Sequence, residues 1–455
     1  MNSKNLFILL LFQAVSLSAS AQNASQGVVL PINTETQTRQ DDSQSSALRD
    51  LVLLVLSRHP ELAKADFESR ALLSRIDETR SARLPQLNLS GGYGQENQKI
   101  DLTNRANNFN DQYNLQLRLT QPLMDQTLVE RMRQSRSLSL VQDWQVVATR
   151  EQVILSTIEL YIEMVRQFNL TQLARENLKL HRRYVGQMLE IARADLGRAS
   201  DLPIAEARVS LAESVYSNRL SRLEAARVQW RAFSGLAAPE FESTNGTDWF
   251  ANQLSIAPLP ETLESALQGA FETNPQLQKA MAEVKTSWHG LGVSRAATAP
   301  RLNAEARTQI GNNFGGVFGT QNSWYAGVNL QWSLPANPGF SYANRAARQA
   351  MKAAESSVDI TIFKIRAAVE SLWYELLSSQ AASTSFESYV KNADLVVKSY
   401  SEQFKIGRRS LLEVLNAENE LFTARSNALT TQIDLTLISW KLLSQRGQMV
   451  QELGL

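Results

Sequence analysis

The sequence has no cysteine and only three histidines, His59, His181 and His289. Without thiols there can be no disulfides, no thiolate metal ligands and no lipid-modified cysteine behind a leader. None of the histidines has a second ligand at metal-binding spacing, so neither a metal nor a cofactor is expected. His59 precedes Pro60 and reads as structural. Phosphate loops, G-x-S-x-G and H-E-x-x-H are all missing. Gly311, Gly315, Gly316 and Gly319 cluster, but no Lys-Ser/Thr and no helical pattern follow them. The chain therefore reads as no enzyme, and any work it does must be powered by a partner.

Net charge is also lacking. With Lys4 set aside as part of a leader, the 46 basic residues become 45, against 45 acidic ones. This balance argues against nucleic acid as the main partner, because phosphate binding needs a basic excess on some face. No run of about 18 apolar residues occurs beyond the N-terminus, so no transmembrane helix is expected. Such a chain can enter lipid only as a closed β-barrel, since lipid offers no partner to open backbone groups.

The N-terminus reads as a secretory leader, residues 1–21. Lys4 supplies its charge, Leu6 to Phe12 its apolar core, and Ala19-Ser20-Ala21 its cleavage site. That core is too short for a membrane anchor. A polar extension, residues 22–46, is rich in Ser, Thr, Gln and Asn.

The remainder is two copies of one plan. His59-Pro60-Glu61-Leu62 returns as Asn274-Pro275-Gln276-Leu277, and Leu84-Pro85-Gln86-Leu87 as Ala299-Pro300-Arg301-Leu302. Gln121-Pro122 matches Leu334-Pro335, and Gly197-Arg198 matches Gly407-Arg408, with offsets running 215, 213 and 210. The first repeat is assigned to 47–234, a Gly/Pro-containing connector to 235–260 and the second repeat to 261–455. Each repeat is expected to hold a helix (47–83, 261–298), two strands, a very long helix (125–196, 340–406) and a returning helix (200–234, 410–447).

Four segments alternate with period two: 87–94, 113–120, 302–310 and 324–334. Tyr113, Leu115, Leu117 and Leu119 share one face in the second, and Trp324, Val328, Leu330 and Trp332 in the fourth. Such alternation marks transmembrane β-strands, apolar toward lipid and polar toward a wet lumen. Trp324, Trp332, Tyr113 and Tyr93 are placed near strand ends, as interfacial aromatics. Taken alone, the same alternation fits a sheet buried on one face. Four strands cannot close a barrel, so several copies must share one.

The long helices carry three-four spacing: Ile362, Ile365, Val369, Leu372 and Leu376, then Phe386, Tyr389, Ala393, Val396 and Tyr400. About 70 residues span roughly 100 Å, too long for a globular core. A rod without a barrel, acting as a periplasmic adaptor, is the reading left if the strands are set aside. At the far ends, Gly197 and Gly407 suit left-handed helix stops, and Ser200 and Ser410 suit N-caps.

These residues resemble the TolC family of outer-membrane efflux proteins. The most specific stretch is Gly407-Arg408-Arg409-Ser410-Leu411-Leu412-Glu413-Val414-Leu415. The resemblance implies an α+β membrane protein: a trimer with a shared twelve-stranded antiparallel barrel, four strands per chain, above a coiled-coil helical tunnel. It places the chain in the outer membrane of a Gram-negative bacterium, with the helices in the periplasm. It implies a periplasmic gate at Asp201, Phe404, Arg409, Glu413 and Asn416. Arg409 would tie neighbouring coils, Glu413 stands where an Asp is usual, Asn416 where some members have a second Asp, and Phe404 where some have a Tyr. It implies adaptor docking at the turns Leu196-Gly197-Arg198 and Ile406-Gly407-Arg408. The partners implied are a periplasmic membrane-fusion adaptor and an inner-membrane ABC transporter or proton-driven pump, with outer-membrane lipid around the barrel. The wording from Ser410 to Phe422 is similar to type I secretion subunits, nearest the LapE/AggA-like group that exports large adhesins, which implies a secreted protein cargo.

Overall fold

The computed structural model describes residues 45–97, 109–194, 200–241, 259–313, 319–333 and 338–455. The leader, the polar extension up to Gln44, most of the connector, and the turn holding Leu196, Gly197 and Arg198 lie outside these residues, as does Leu334. The first half contains α1 (Ser45–Arg58), α2 (Pro60–Ser81), β1 (Gln86–Asn97), β2 (Phe109–Met124), α3 (Gln126–Ala194) and α4 (Asp201–Ser234). The second contains α5 (Leu263–Thr273), α6 (Pro275–Ala296), β3 (Arg301–Asn312), β4 (Thr320–Gln331), α7 (Gly339–Lys405), α8 (Leu411–Gln445) and a short α9 (Met449–Glu452).

Each half opens with two helices where one was expected. The break falls at the residue before proline, which is driven out of the helical region by the proline ring. His59 sits at φ −70°, ψ 124° and Asn274 at φ −60°, ψ 121°. Asn274 caps the new helix by accepting from the Gln276 and Leu277 amides at 2.9 and 3.3 Å. His59 lacks a capping oxygen; its buried ring lies 4.6 Å from that of Phe233.

The strands form one antiparallel sheet in the order β1-β2-β3-β4. Leu87 pairs with Leu119, Leu89 with Leu117 and Tyr93 with Tyr113. Leu115 pairs with Ile310, and Ala304 with Val328. Cross-strand partners share a face, so one face is apolar across all four strands. The chain leaves that face uncovered: Leu89 is 69% and Trp324 73% accessible. A water-soluble sheet hides its apolar face, whereas this one presents it, as a barrel wall in lipid must. Two details differ from expectation. β4 ends at Gln331, so Trp332 lies just beyond the strand, its indole donating to the Thr298 carbonyl at 3.1 Å. Trp324 is mid-strand, opposite Thr308 and level with Leu117 and Leu89, instead of near an end.

The helices repeat the strand order. α2 packs on α3, α3 on α6 and α6 on α7, so α2-α3-α6-α7 continues β1-β2-β3-β4 below the sheet. Farther along, α4 packs on α3, α3 on α8 and α8 on α7. α3 thus has helices of this chain on both sides, while α7 is a flank. Flank residues left bare include Phe67 on α2, Val228 on α4, and Phe363, Tyr374 and Leu395 on α7. The core that joins the halves gathers Val52, Ile154, Ile158, Ile162, Ile433 and Trp440 around the fully buried Trp230.

The seam of α7 is an unbroken heptad; in the second expected run Phe386, Ala393 and Tyr400 lie on it, while Tyr389 and Val396 fall one residue short of the seam positions Val390 and Val397. Ile365, Val369, Leu376, Ala393, Val397 and Phe404 are buried, and Ile362, Leu372, Ser379, Ser383, Phe386, Val390 and Tyr400 are half-buried between them. Tyr389 and Val396 face outward. Seam positions at Ser379 and Ser383 are polar, which hides the repeat, and the neighbouring apolar residues offer a false one.

Leu117→Arg is expected to block assembly. A cation facing lipid at mid-membrane costs about 2–4 kcal/mol, and the loss would be read as trimer yield on native gels of detergent-extracted outer membranes. Normal yield would show that this face does not meet lipid.

Candidate functional site

The end of the second hairpin is set by local chemistry. α7 stops because Gly407 adopts φ +74°, a conformation open to glycine at little cost. The Gly407 amide then donates to the Phe404 carbonyl at 3.0 Å and the Arg408 amide to the Gln403 carbonyl at 2.9 Å, a Schellman stop. α8 starts with a capping box: the Glu413 amide donates to Ser410 Oγ at 3.3 Å, and the Ser410 amide to Glu413 Oε2 at 3.0 Å.

Arg409 is wired into the same turn. Its Nη1 donates to Glu413 Oε1 at 2.5 Å, its Nε to Gln403 Oε1 at 2.8 Å, and its guanidinium lies 4.3 Å from the centre of the Tyr400 ring. The backbone and hydroxyl of Ser410 and then Arg409 hold the Glu413 carboxyl down to about 2. Ile406, Gly407 and Arg408 are exposed at the extremity. In the first hairpin the described residues stop at Ala194 and resume at Ser200. Ser200 is in the right-handed helical region with no side-chain cap bond, so it does not act as the expected N-cap. Asp201 is the first residue of α4.

The remaining gate candidates divide. Phe404 is buried with Tyr184, Met188, Ala205, Leu411 and Leu415 in an apolar junction that draws on all four hairpin helices, α3, α4, α7 and α8. Asn416 is exposed and accepts from Arg208 Nη2 at 2.8 Å, bridging the two hairpins. A second bridge was not anticipated: Tyr184 Oη on α3 donates to Glu418 Oε1 on α8 at 3.0 Å, with both side chains buried. Burial raises the Glu418 carboxyl and pushes Tyr184 to about 12. The signal for this bridge was present, because Glu418 lies in the apolar stripe Leu411, Val414, Leu415, Leu421, where a carboxylate needs a partner. Beside it a cleft of about 680 Å³ opens between α3 and the end of α7, lined by Leu180, Gln187, Ile191, Phe404 and Gly407.

The described sheet residues Tyr113, Leu115, Leu117, Leu119, Trp324, Val328 and Leu330 lie on the apolar face, with Trp332 just past it. On the opposite face, Glu305 lies 3.4 Å from Arg118 and 3.9 Å from Arg307.

The sequence model of the family described as outer membrane efflux protein matches residues 51–236 and 266–444. The outer membrane protein TolC of Escherichia coli (strain K12) is 23% identical over 86% of this chain and 82% of its own length. The alkaline protease secretion protein AprF of Pseudomonas aeruginosa is 24% identical over 88% of this chain and 84% of its own. Among solved structures, CusC superposes with a TM-score of 0.77 at 16% identity, covering 91% of this chain and 95% of its own.

The tip should lose order in acid through Glu413. Its carboxyl titrates at about 2 in the folded tip, against an ordinary value of 4.5. The stability it contributes is therefore complete above pH 4.5 and is lost as pH falls toward 2. Hydrogen exchange across residues 406–415, corrected for intrinsic rates, should show protection falling over that window in the native chain. In Glu413→Gln, protection should be lower and flat. A native-like acid profile in the variant would remove Glu413 from the turn's support.

Proposed function

We propose, from the premise that this chain belongs to the outer membrane efflux protein family, that it is the outer-membrane duct of a protein-secretion machine. Members of this family are channels of the Gram-negative outer membrane and not enzymes; they are homotrimers whose helical tunnels stand in the periplasm and work with adaptors and inner-membrane pumps. The finer reading is type I secretion of a large adhesin, with an ABC transporter as the pump. It is supported above all by the match to a protease secretion protein over most of both chains. The tip chemistry is compatible with either cargo. The acidic Glu413 is paired within its own turn and Asn416 carries no charge, so the entrance lacks a free carboxylate ring at these two positions. A drug duct for a proton-driven pump is the second reading, favoured by the match to the family described as outer membrane efflux protein.

In this reading, Asp201, Phe404, Arg409, Glu413 and Asn416 form the gate. Phe404 and the Arg208–Asn416 bond hold the hairpins of one chain together, while Arg409 and Glu413 stiffen the turn that meets the neighbouring chain. The exposed turn Ile406-Gly407-Arg408, its counterpart Leu196-Gly197-Arg198, and the cleft beside Tyr184 receive the periplasmic adaptor.

A strain lacking this protein should lose a large secreted or surface protein while keeping its drug susceptibility, measured by proteomics of medium and cell surface beside inhibitory concentrations. Drug hypersensitivity with an intact secretome would replace the first reading by the second. Arg409→Ala should raise single-channel conductance in planar bilayers several-fold by loosening the turn, and native conductance would take Arg409 out of the gate.

A further inference from the structure

The polar face of the sheet carries a charge arrangement that neither the duct nor the gate uses. Arg118 on β2 stands directly opposite Arg307 on β3. Like charges facing each other across a ladder destabilise the pair. One carboxylate sits between them: Glu305, 3.4 Å from Arg118 Nε and 3.9 Å from Arg307 Nη1, with its side chain 16% exposed. One negative group against two positive ones leaves a net positive charge on every chain. Among the described strand side chains, the other charge on this face is Arg301 at the inner end, which pairs with Asp125 at 3.6 Å.

The arginines are also positioned. The Arg307 guanidinium lies 5.0 Å from the centre of the Tyr325 ring, its ladder partner on β4. That ring rests over Gly327, where an added Cβ would come within 2.6 Å of the phenol oxygen. Glycine thus keeps the floor on which the stack lies. Both arginines keep nearly half their side-chain surface, 44% and 46%, exposed. They are held in place yet still have donors to offer.

We propose that Arg118, Arg307, Tyr325 and Glu305 form an anion-binding belt inside the barrel that takes multiply charged carboxylate or phosphate groups. This rests on the reading that three chains share the barrel and the polar face lines its lumen. Twelve strands at about 4.8 Å spacing and a tilt of about 40° give a backbone radius of roughly 12 Å. Six inward-reaching guanidiniums then lie within about one Debye length of the axis at 0.1 M salt, where that length is about 10 Å. A polyvalent anion meets several arginines together, while a monovalent one is weakly held.

The test is current through the full-length trimer in planar bilayers at low salt, with tripolyphosphate or a hexaglutamate peptide added on the barrel side. Both should lower the current, and the one acting at lower concentration identifies free anions or acidic polypeptide as the natural occupant. Arg118→Gln and Arg307→Gln should raise the half-blocking concentration at least tenfold, and Glu305→Gln should lower it. Salt near 1 M should abolish the block. Channels of native conductance that respond to neither polyanion would overturn the belt, as would block unchanged in the double Arg→Gln variant. Failure of the native chain to form channels would overturn the barrel reading, and the belt with it.

Discussion

Everything in this molecule follows from two unsatisfied strand edges. β1 and β4 each have one neighbour in the chain, and the outer edge of each carries backbone donors and acceptors that hydrocarbon cannot meet. Water could satisfy them, but the apolar face of the same sheet is turned outward. The sheet is acceptable in neither solvent until sister chains close it. The helices obey the same constraint, because α2 and α7 stand below β1 and β4 and leave Phe67 and Phe363 bare on flanks that only another copy can cover.

The duplication explains why a single chain builds a four-wide wall. Each half contributes one helix running toward the sheet, two strands and one long helix running away. Setting the halves side by side brings β2 against β3 and α3 against α6. The halves are equal in plan but not in position. α3 ends in the middle of the wall and is buried along much of its length; α7 ends at the margin and buries one stripe. Capping diverged with position too, with Asn274 bonding the helix start where His59 packs its ring, tilted, against Phe233.

Much of this was legible in the sequence because it is written in local periodicity. Alternation in Tyr113 to Leu119 and Trp324 to Leu330 fixed both facing and partner, since a one-residue slip would have inverted the face. Gly407 and Ser410 announced the turn because each satisfies backbone groups within a few residues. Other features depended on contacts remote in sequence. Tyr184 and Glu418 are 234 residues apart, and nothing near Tyr184 marks it as a donor to a buried carboxylate. The split at His59 and Asn274 was signalled by Pro60 and Pro275, but the helical pattern on either side masked it. In the second stretch of the α7 seam, Phe386, Ala393 and Tyr400 follow from the pattern, but apolar Tyr389 and Val396 stand beside the true positions Val390 and Val397, and polar Ser379 and Ser383 break the rhythm that would separate them.

The marginal place of α7 sets how its changes are felt. A defect in α3 falls on the polypeptide that carries it, since its neighbours belong to the same chain. In a closed trimer, a defect on the exposed stripe of α7 falls on whichever sister subunit covers it. In a cell expressing two alleles, random mixing would leave about one cylinder in eight free of the altered flank. Inheritance at Phe363 or Tyr374 would then be dominant, while at Ile158 it would be recessive.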